Sequence, residues 1–415
     1  LLTTPVGVEE EWLIEGTPYQ DLQHVDGTTQ TGFKLQAING SDDIKMFIKG
    51  QVSNLKPNTW YQVNYDLELA SNIAEFGCSG IGGSPSSLYV KFSASTNEPL
   101  SNIDNLNGSQ DYYYMNLDMG QQNNRGQDAI LLGDIGISEL ESCDSGSEIY
   151  ATKSFNSTDN NFYVQTDYMG NAWVSFGTDS GYEGFSRVYF TNTTLTFEEV
   201  EPQSQYAVSY DFSDKNTYFS TISFDHPDDV ESDWQIYSQA NSPYLLTTQE
   251  WRNGLTLSFI NHSDDTGMLA MTQLLGLKSN TTYNSNFDLS FATNIGKECF
   301  GIGGAPNAVT VKAGLSRSKP SKSLDDLNHY RLNIDMGNQA SEGPDAINLG
   351  KIGSDEFDFC DPSHHEFALV NQQASNFEFT TDETGQAWFY FAFDSGFEGL
   401  TQVIIDSASI DLEEK

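Results

Sequence analysis

Trp60-Tyr-Gln-Val-Asn-Tyr-Asp-Leu-Glu-Leu69 alternates: Tyr61, Val63, Tyr65, Leu67 and Leu69 share one phase, and Trp60 lies in the other. A period of two is the pleat of a strand with one face in a core. The pattern returns at Tyr283-Asn-Ser-Asn-Phe-Asp-Leu-Ser-Phe291, where Phe287, Leu289 and Phe291 fall together. Leu88-Tyr-Val-Lys-Phe-Ser-Ala94, Ala172-Trp-Val-Ser-Phe176 and Thr194-Leu-Thr-Phe197 read the same way, and connections such as Gly80-Ile-Gly-Gly-Ser-Pro85 carry turn chemistry. No three-turn stretch shows a helical apolar stripe, and 35 glycines weigh against helices. The expected fold is all-β.

The chain is also written twice. Val8-Glu-Glu-Glu-Trp12 returns as Val230-Glu-Ser-Asp-Trp234, a shift of 222 (230 − 8). Asn116-Leu-Asp-Met-Gly120 returns as Asn333-Ile-Asp-Met-Gly337, and Asp179-Ser-Gly-Tyr-Glu-Gly184 as Asp394-Ser-Gly-Phe-Glu-Gly399. A unit this long is a domain rather than a solenoid repeat. The expectation is two tandem antiparallel β-sandwich domains of jelly-roll type, residues 1–200 and 206–415, joined at Glu199-Val-Glu-Pro-Gln-Ser-Gln205. Copy two opens on an alternating segment, Tyr206-Ala-Val-Ser-Tyr-Asp-Phe-Ser213, whereas Leu1 aligns only with Ser223. Copy one is therefore expected to lack its first strand. Either that segment was trimmed, or another molecule supplies it by adding a strand to an open sheet edge.

The 59 acidic and 19 basic residues give a net charge of −40, which argues against nucleic acid and anionic membrane surfaces as partners. No run of eighteen apolar residues is present, so no membrane insertion is expected. Aromatic residues at 13% separate the chain from acidic disordered tails. Cys78 matches Cys299 and Cys143 matches Cys360. Sequence permits three connectivities, and one pair per copy favours Cys78–Cys143 and Cys299–Cys360. Such bridges imply an oxidising compartment, hence a secreted or cell-surface protein.

The combination Asn261-His-Ser-Asp-Asp265, Phe300-Gly-Ile-Gly-Gly304, Asn333-Ile-Asp-Met-Gly-Asn-Gln339 and Asp394-Ser-Gly-Phe-Glu-Gly399 resembles a group of secreted bacterial proteins of β-sandwich appearance. The likeness spans nearly all of copy two and, more loosely, copy one. It implies a bacterial, secreted origin and assigns no role to any residue.

None of the six histidines (His24, His226, His262, His329, His364, His365) recurs in the other copy, which removes a duplicated Ser-His-Asp triad or His-based metal centre. Carboxylates do recur: Asp42/Asp264, Asp43/Asp265, Asp118/Asp335, Asp128/Asp345, Asp144/Asp361, Asp167/Asp382, Asp179/Asp394 and Glu183/Glu398. Acids kept between diverged copies, beside Gly, Ser and Asn, suit Ca²⁺, which takes six to eight oxygen ligands. Asp42, Asp43, Asp179 and Glu183, with Asp264, Asp265, Asp394 and Glu398, are the expected ligands. The alternative is that these acids form Asx-turns on backbone amides. Asp179 and Glu183 also admit a carboxylate-based glycosidase, a minority reading. For ligand binding, Trp173/Trp388 and Tyr182/Phe397 flank the Asp-Ser-Gly loops, and Tyr113/Tyr330 persist from a tyrosine cluster. Rings beside carboxylates suit a sugar. The expected function is a non-catalytic tandem module that binds polysaccharide or a surface glycan and is stabilised by calcium. A structural or adhesive subunit, self-associating through a sheet edge, is the alternative.

Overall fold

The computed structural model describes residues 1–40, 44–104, 111–141, 143–157, 162–262, 265–301, 304–358, 360–361 and 363–415. It is all-β, and the chain forms two compact units, Leu1–Val200 and Glu201–Lys415. Unit 1 begins with β1 (Leu2–Pro5), β2 (Glu15–His24), β3 (Thr29–Ile38), β4 (Ile44–Val52), β5 (Trp60–Ser71) and β6 (Leu88–Ser95). It continues through β7 (Ser101–Asp104), β8 (Tyr112–Met115), β9 (Ala129–Asp134), β10 (Ile149–Asn156), β11 (Tyr163–Gln165), β12 (Ala172–Ser180) and β13 (Phe185–Glu199). Unit 2 begins with β14 (Gln205–Asp211), β15 (Ser220–Phe224), β16 (Tyr237–Leu246), β17 (Trp251–Ile260), β18 (Gly267–Leu274) and β19 (Thr282–Thr293). It ends with β20 (Val309–Ser316), β21 (Lys322–Leu324), β22 (Tyr330–Leu332), β23 (Ala346–Lys351), β24 (Glu366–Thr380), β25 (Ala387–Ser395) and β26 (Leu400–Glu414).

Each unit pairs an open sheet with a curled one. In unit 1 the open sheet runs β7, β8, β1, β4, β12, β6, β9, and its counterpart in unit 2 runs β15, β18, β25, β20, β23. The second sheet of unit 1 runs β10, β2, β3, β13, β5, β11, and β10 pairs again with β5, so five of its strands close into a ring. Unit 2 repeats the closure through β26 and β19. One pair in each ring is parallel, β10 with β2 and β16 with β24, which departs from the expected purely antiparallel sandwich. These strands are joined through long connections rather than hairpins, and a long connection permits parallel pairing.

The alternating strands bury the faces expected of them. Tyr61, Val63, Tyr65, Leu67 and Leu69 lie in the core of unit 1, and Phe287, Leu289 and Phe291 in that of unit 2. Residues of opposite phase form a smaller second core on the other face of the ring strands, Leu22, Ala70, Tyr150 and Tyr189 in unit 1, and Tyr244, Leu246, Ala292, Phe367 and Ile404 in unit 2. Both faces of the ring strands are thus apolar, as curling requires.

The bridges are Cys78–Cys143 and Cys299–Cys360, with Cα atoms 5.5 and 5.6 Å apart. They span 65 and 61 residues, and closing loops of that length removes about 4 kcal/mol of unfolded-state entropy each. Reduction under native conditions is expected to lower both unit melting transitions. Calorimetry with and without reductant checks this, and an unmoved transition would show that its bridge contributes nothing.

Candidate functional site

The residues shared by the two copies converge on one place in each unit, around a buried ion pair. Asp179 in β12 and Asp394 in β25 are 0% and 2% exposed. Lys91 Nζ donates to Asp179 Oδ2 at 2.7 Å and to the Met119 carbonyl at 2.9 Å. Lys312 Nζ donates to Asp394 Oδ2 at 3.0 Å and to the carbonyls of Met336 and Gly337 at 3.0 and 2.9 Å, so all three ammonium donors are used. The Gln122 and Gln339 amides donate to the same Asp oxygens at 2.8 Å. In unit 1 Lys45 adds a second cation 3.6 Å from Asp179. Burial pushes the Asp394 carboxyl up, and Lys312 opposes it.

The remaining motif residues brace this pair. Asn39 Nδ2 donates to the carbonyls of Ser180 and Tyr182, and Asn261 Nδ2 to that of Ser395. Ser180 and Ser395 hydroxyls close the turn by donating to the carbonyls of Tyr182 and Phe397. Tyr182 lies so close over Gly80 and Gly184 that a Cβ at either would sit 2.5 or 2.4 Å from its ring, and Phe397 lies likewise over Gly399.

These contacts correct several expectations. Asp179 and Asp394, expected on loops open to a cation, are instead buried in strands against lysine. Glu183 is held through its backbone in a bridge to Ile81, and Glu398 is exposed. Asp42, Asp43 and Asp264 lie outside the described residues, and Asp265 is half-buried. Among the described residues no three His, Cys, Asp or Glu side chains are grouped to hold a metal. The other shared acids accept backbone amides, the Asx alternative. Asp128 and Asp345 take the amides of Asp118 and Asp335; Asp144 and Asp361 those of Gly146 and Ser363; Asp167 and Asp382 those of Met169 and Thr384.

The aromatic candidates differ in exposure. Phe397 is buried, and Tyr182, Trp173, Trp388, Tyr113 and Tyr330 are half-buried. Lys49 and Lys319 lie 5.4 and 5.3 Å from the Trp173 and Trp388 ring centres. Tyr330 donates to Asp228 at 2.7 Å, which, with burial, pushes its phenol up to about 12. His226 meets Ser223 Oγ at 2.8 Å, a contact suggestive of catalysis, but its other nitrogen meets the Pro227 carbonyl and both side chains are buried away from any substrate.

The feature that sequence reasoning missed is a groove of about 800 Å³ on unit 2, lined by β14, β17, β19 and β26. Trp251, the first residue of β17, stands 69% exposed at its rim. It follows a tight turn in which Gln249 adopts a φ of 65° and donates to the Leu246 carbonyl. Arg252 is clamped by Glu250 (3.0 Å) and Asp406 (3.4 Å), which raise its pKa, and the Tyr244 hydroxyl donates to Asp406 at 2.5 Å. Asp406 owes its position to a β-bulge: Ser290 pairs with Ser407 and Phe291 with Ile405, leaving Asp406 out of the ladder. Unit 1 has the same bulge between Phe190 and Asn192, with Thr191 at its apex. Pair register sets Thr29 and Gln30 where unit 2 has Trp251 and Arg252. Trp251, Arg252 and Asp406 therefore have no like residues at the matching positions of unit 1, and the duplication does not point to them.

No family model matches the chain, and no curated protein matches its sequence. Among solved structures it is similar to the tandem carbohydrate-binding modules of the family 98 glycoside hydrolase of Streptococcus pneumoniae, with TM-score 0.19 and 10% identity over 99% of both chains. It is similar also to the ANXUR1 extracellular domain of Arabidopsis thaliana, with TM-score 0.19 and 9% identity over 97% of both chains. A third likeness is to carbohydrate-binding modules of the β-sandwich superfamily, with TM-score 0.18 and 8% identity over 89% of this chain and 97% of that one. Likenesses of this size carry no argument about what this chain binds.

Replacing Lys312 by Met leaves the Asp394 carboxylate buried without its cation, which is expected to destabilise unit 2 by about 3–5 kcal/mol; the double change Lys312→Met with Asp394→Asn should recover part of that loss in a denaturant titration. Amide and hydroxyl donors, joined at Asp325 by the Arg331 guanidinium, depress the carboxyls of Asp26 and Asp325 to about 2, and amide and hydroxyl donors hold Asp167 and Asp361 below their usual value. Unfolded carboxylates near 4 take up protons first, so stability present at pH 5 should fall as pH drops from about 4 towards 2. Asp394 and Asp225, both raised by burial, contribute with the opposite sign. Melts across that range that stay level would remove the amide-held acids from the stability account.

Proposed function

We propose that the chain is a non-catalytic, extracellular glycan-binding protein whose binding face is the Trp251 groove of unit 2. The observation that carries this reading is an exposed indole at the rim of an open groove lined by carboxylates, a guanidinium and hydroxyls. Sugars present an apolar face that stacks on a ring and hydroxyls that seek such partners. Four acids, Asp211, Glu250, Asp288 and Asp406, face one Arg252, so the groove favours neutral polysaccharides over uronic or sulfated ones. The disulfides suit an oxidising, extracellular setting. The glycosidase alternative loses its named pair, since Asp179 faces Lys91.

The calcium part of this reading rests on the sequence, on the shared Asp42/Asp264 and Asp43/Asp265. Melting with and without chelator checks it, and an unmoved transition would withdraw it. For the groove, isothermal titration against neutral and anionic polysaccharides is the test. Trp251→Ala should weaken neutral-glycan binding at least about tenfold, roughly 1.4 kcal/mol, with the melting temperature unchanged. Binding that survives this change, or that prefers anionic polymers, would move the site elsewhere.

A further inference from the structure

The groove of unit 2 is mounted on a hairpin that unit 1 also has. β16 and β17 hold the places of β2 and β3, and Tyr244 stands opposite Arg252 where Leu22 stands opposite Gln30. Glu250 precedes β17 where Thr28 precedes β3, Trp251 takes the place of Thr29, and Asp406 takes that of Thr191 at the bulge. Unit 1 folds with none of these five residues, so the common fold does not require them. In unit 2 four of them form one chain of contacts beside the fifth, Trp251.

That chain starts in the core. Tyr244 is 2% exposed, and its hydroxyl donates to Asp406 Oδ1 at 2.5 Å. Burial first, and then Asp406, pushes this phenol up, so it remains a donor in neutral solution. Arg252 Nη1 donates to the same Asp406 oxygen at 3.4 Å, and its Nε and Nη2 donate to Glu250 at 3.0 and 3.3 Å. A guanidinium has five N–H groups, so two (5 − 3) are left, one on each terminal nitrogen. Among the described residues nothing accepts those two, and nothing donates to Asp406 Oδ2.

Standing alone, a guanidinium fork suits a carboxylate or a phosphate. Here Glu250 and Asp406 already flank it, and Asp211 and Asp288 line the same groove, so a further anion is repelled. A pair of neutral oxygens is what fits. Adjacent hydroxyls on a sugar ring supply that pair, and they also carry hydrogens that Asp406 Oδ2 can accept. We infer that Arg252 is the specificity-determining residue of the groove and selects sugars with two adjacent free hydroxyls, with Tyr244 and Asp406 as positioning residues that fix its guanidinium. The inference rests on the glycan-binding reading of the groove and adds which sugars it takes. Internal residues of 1,4-linked glucans and mannans keep such a hydroxyl pair, whereas in 1,3-linked glucans the linkage separates the free hydroxyls.

The test is isothermal titration of the full chain with soluble 1,4-linked glucan and mannan, with 1,3-linked glucan, and with the 1,4-linked polymers after periodate has cleaved their diols. An intact 1,4-linked polymer should bind at least about tenfold tighter than the 1,3-linked glucan and than its own periodate-treated form. Arg252→Lys keeps the charge but loses the planar fork, and should abolish that preference. Tyr244→Phe should narrow the preference in protein that melting shows to be folded; a merely structural role would weaken all the polymers alike and leave the ratio unmoved. Equal binding of 1,3- and 1,4-linked polymers, a preference that survives periodate, or a ratio unmoved by Arg252→Lys or by Tyr244→Phe overturns the inference. Where such binding is still lost in Trp251→Ala, the groove itself stands as the glycan site. If none of the polymers binds, the inference falls together with the reading it rests on.

Discussion

The buried Lys–Asp pair, Lys91 with Asp179 and Lys312 with Asp394, is the interaction on which the rest of each unit depends. Taking two charges out of water is costly, and the cost is met only where the geometry leaves few donors or acceptors idle. The ammonium therefore draws in the Met119 carbonyl, or those of Met336 and Gly337, and the carboxylate draws in the Gln122 or Gln339 amide. Those contacts tie the open sheet of each unit to its Asp-Met-Gly loop. That loop is held in turn by Asp118 and Asp335, which accept the amides of Gly120 and Gly337.

This explains why motifs that look like a binding site are shared so faithfully. Acids and small residues kept between diverged copies mark what the fold cannot lose, and here that is a charged knot with its bracing turns. Function needs only one copy of a site, and a site free of the knot can diverge. The bulge that presents Asp406 exists in both units, yet Thr191 occupies its apex in unit 1. A common backbone feature thus serves as a mount, and the side chain on it decides the chemistry.

Closure of the ring has a similar logic. Five strands curl because both of their faces are apolar, so the ring needs no further strand for its own integrity. β14 lies outside the ring and covers the seam between the two sheets of unit 2, where it completes the burial of Ile410 and Leu412. The same seam in unit 1 is covered less well, at Leu195 and Phe197.

The sequence by itself determined the strand character, the duplication and which face of β5 and β19 is buried, and it favoured the disulfide pairing that the structure shows. Each is written in short-range alternation or in matched positions between the copies. It also showed that Asp179 and Asp394 matter, but not why, because Lys91 and Lys312 are distant in the chain and read there as ordinary strand lysines. Only the tertiary structure decided that these acids face lysine rather than solvent, that Phe397 is buried over Gly399, and that Trp251, Arg252 and Asp406 meet in one groove. Those outcomes depend on which strands lie side by side, and long-range pairing leaves no local periodicity in the chain.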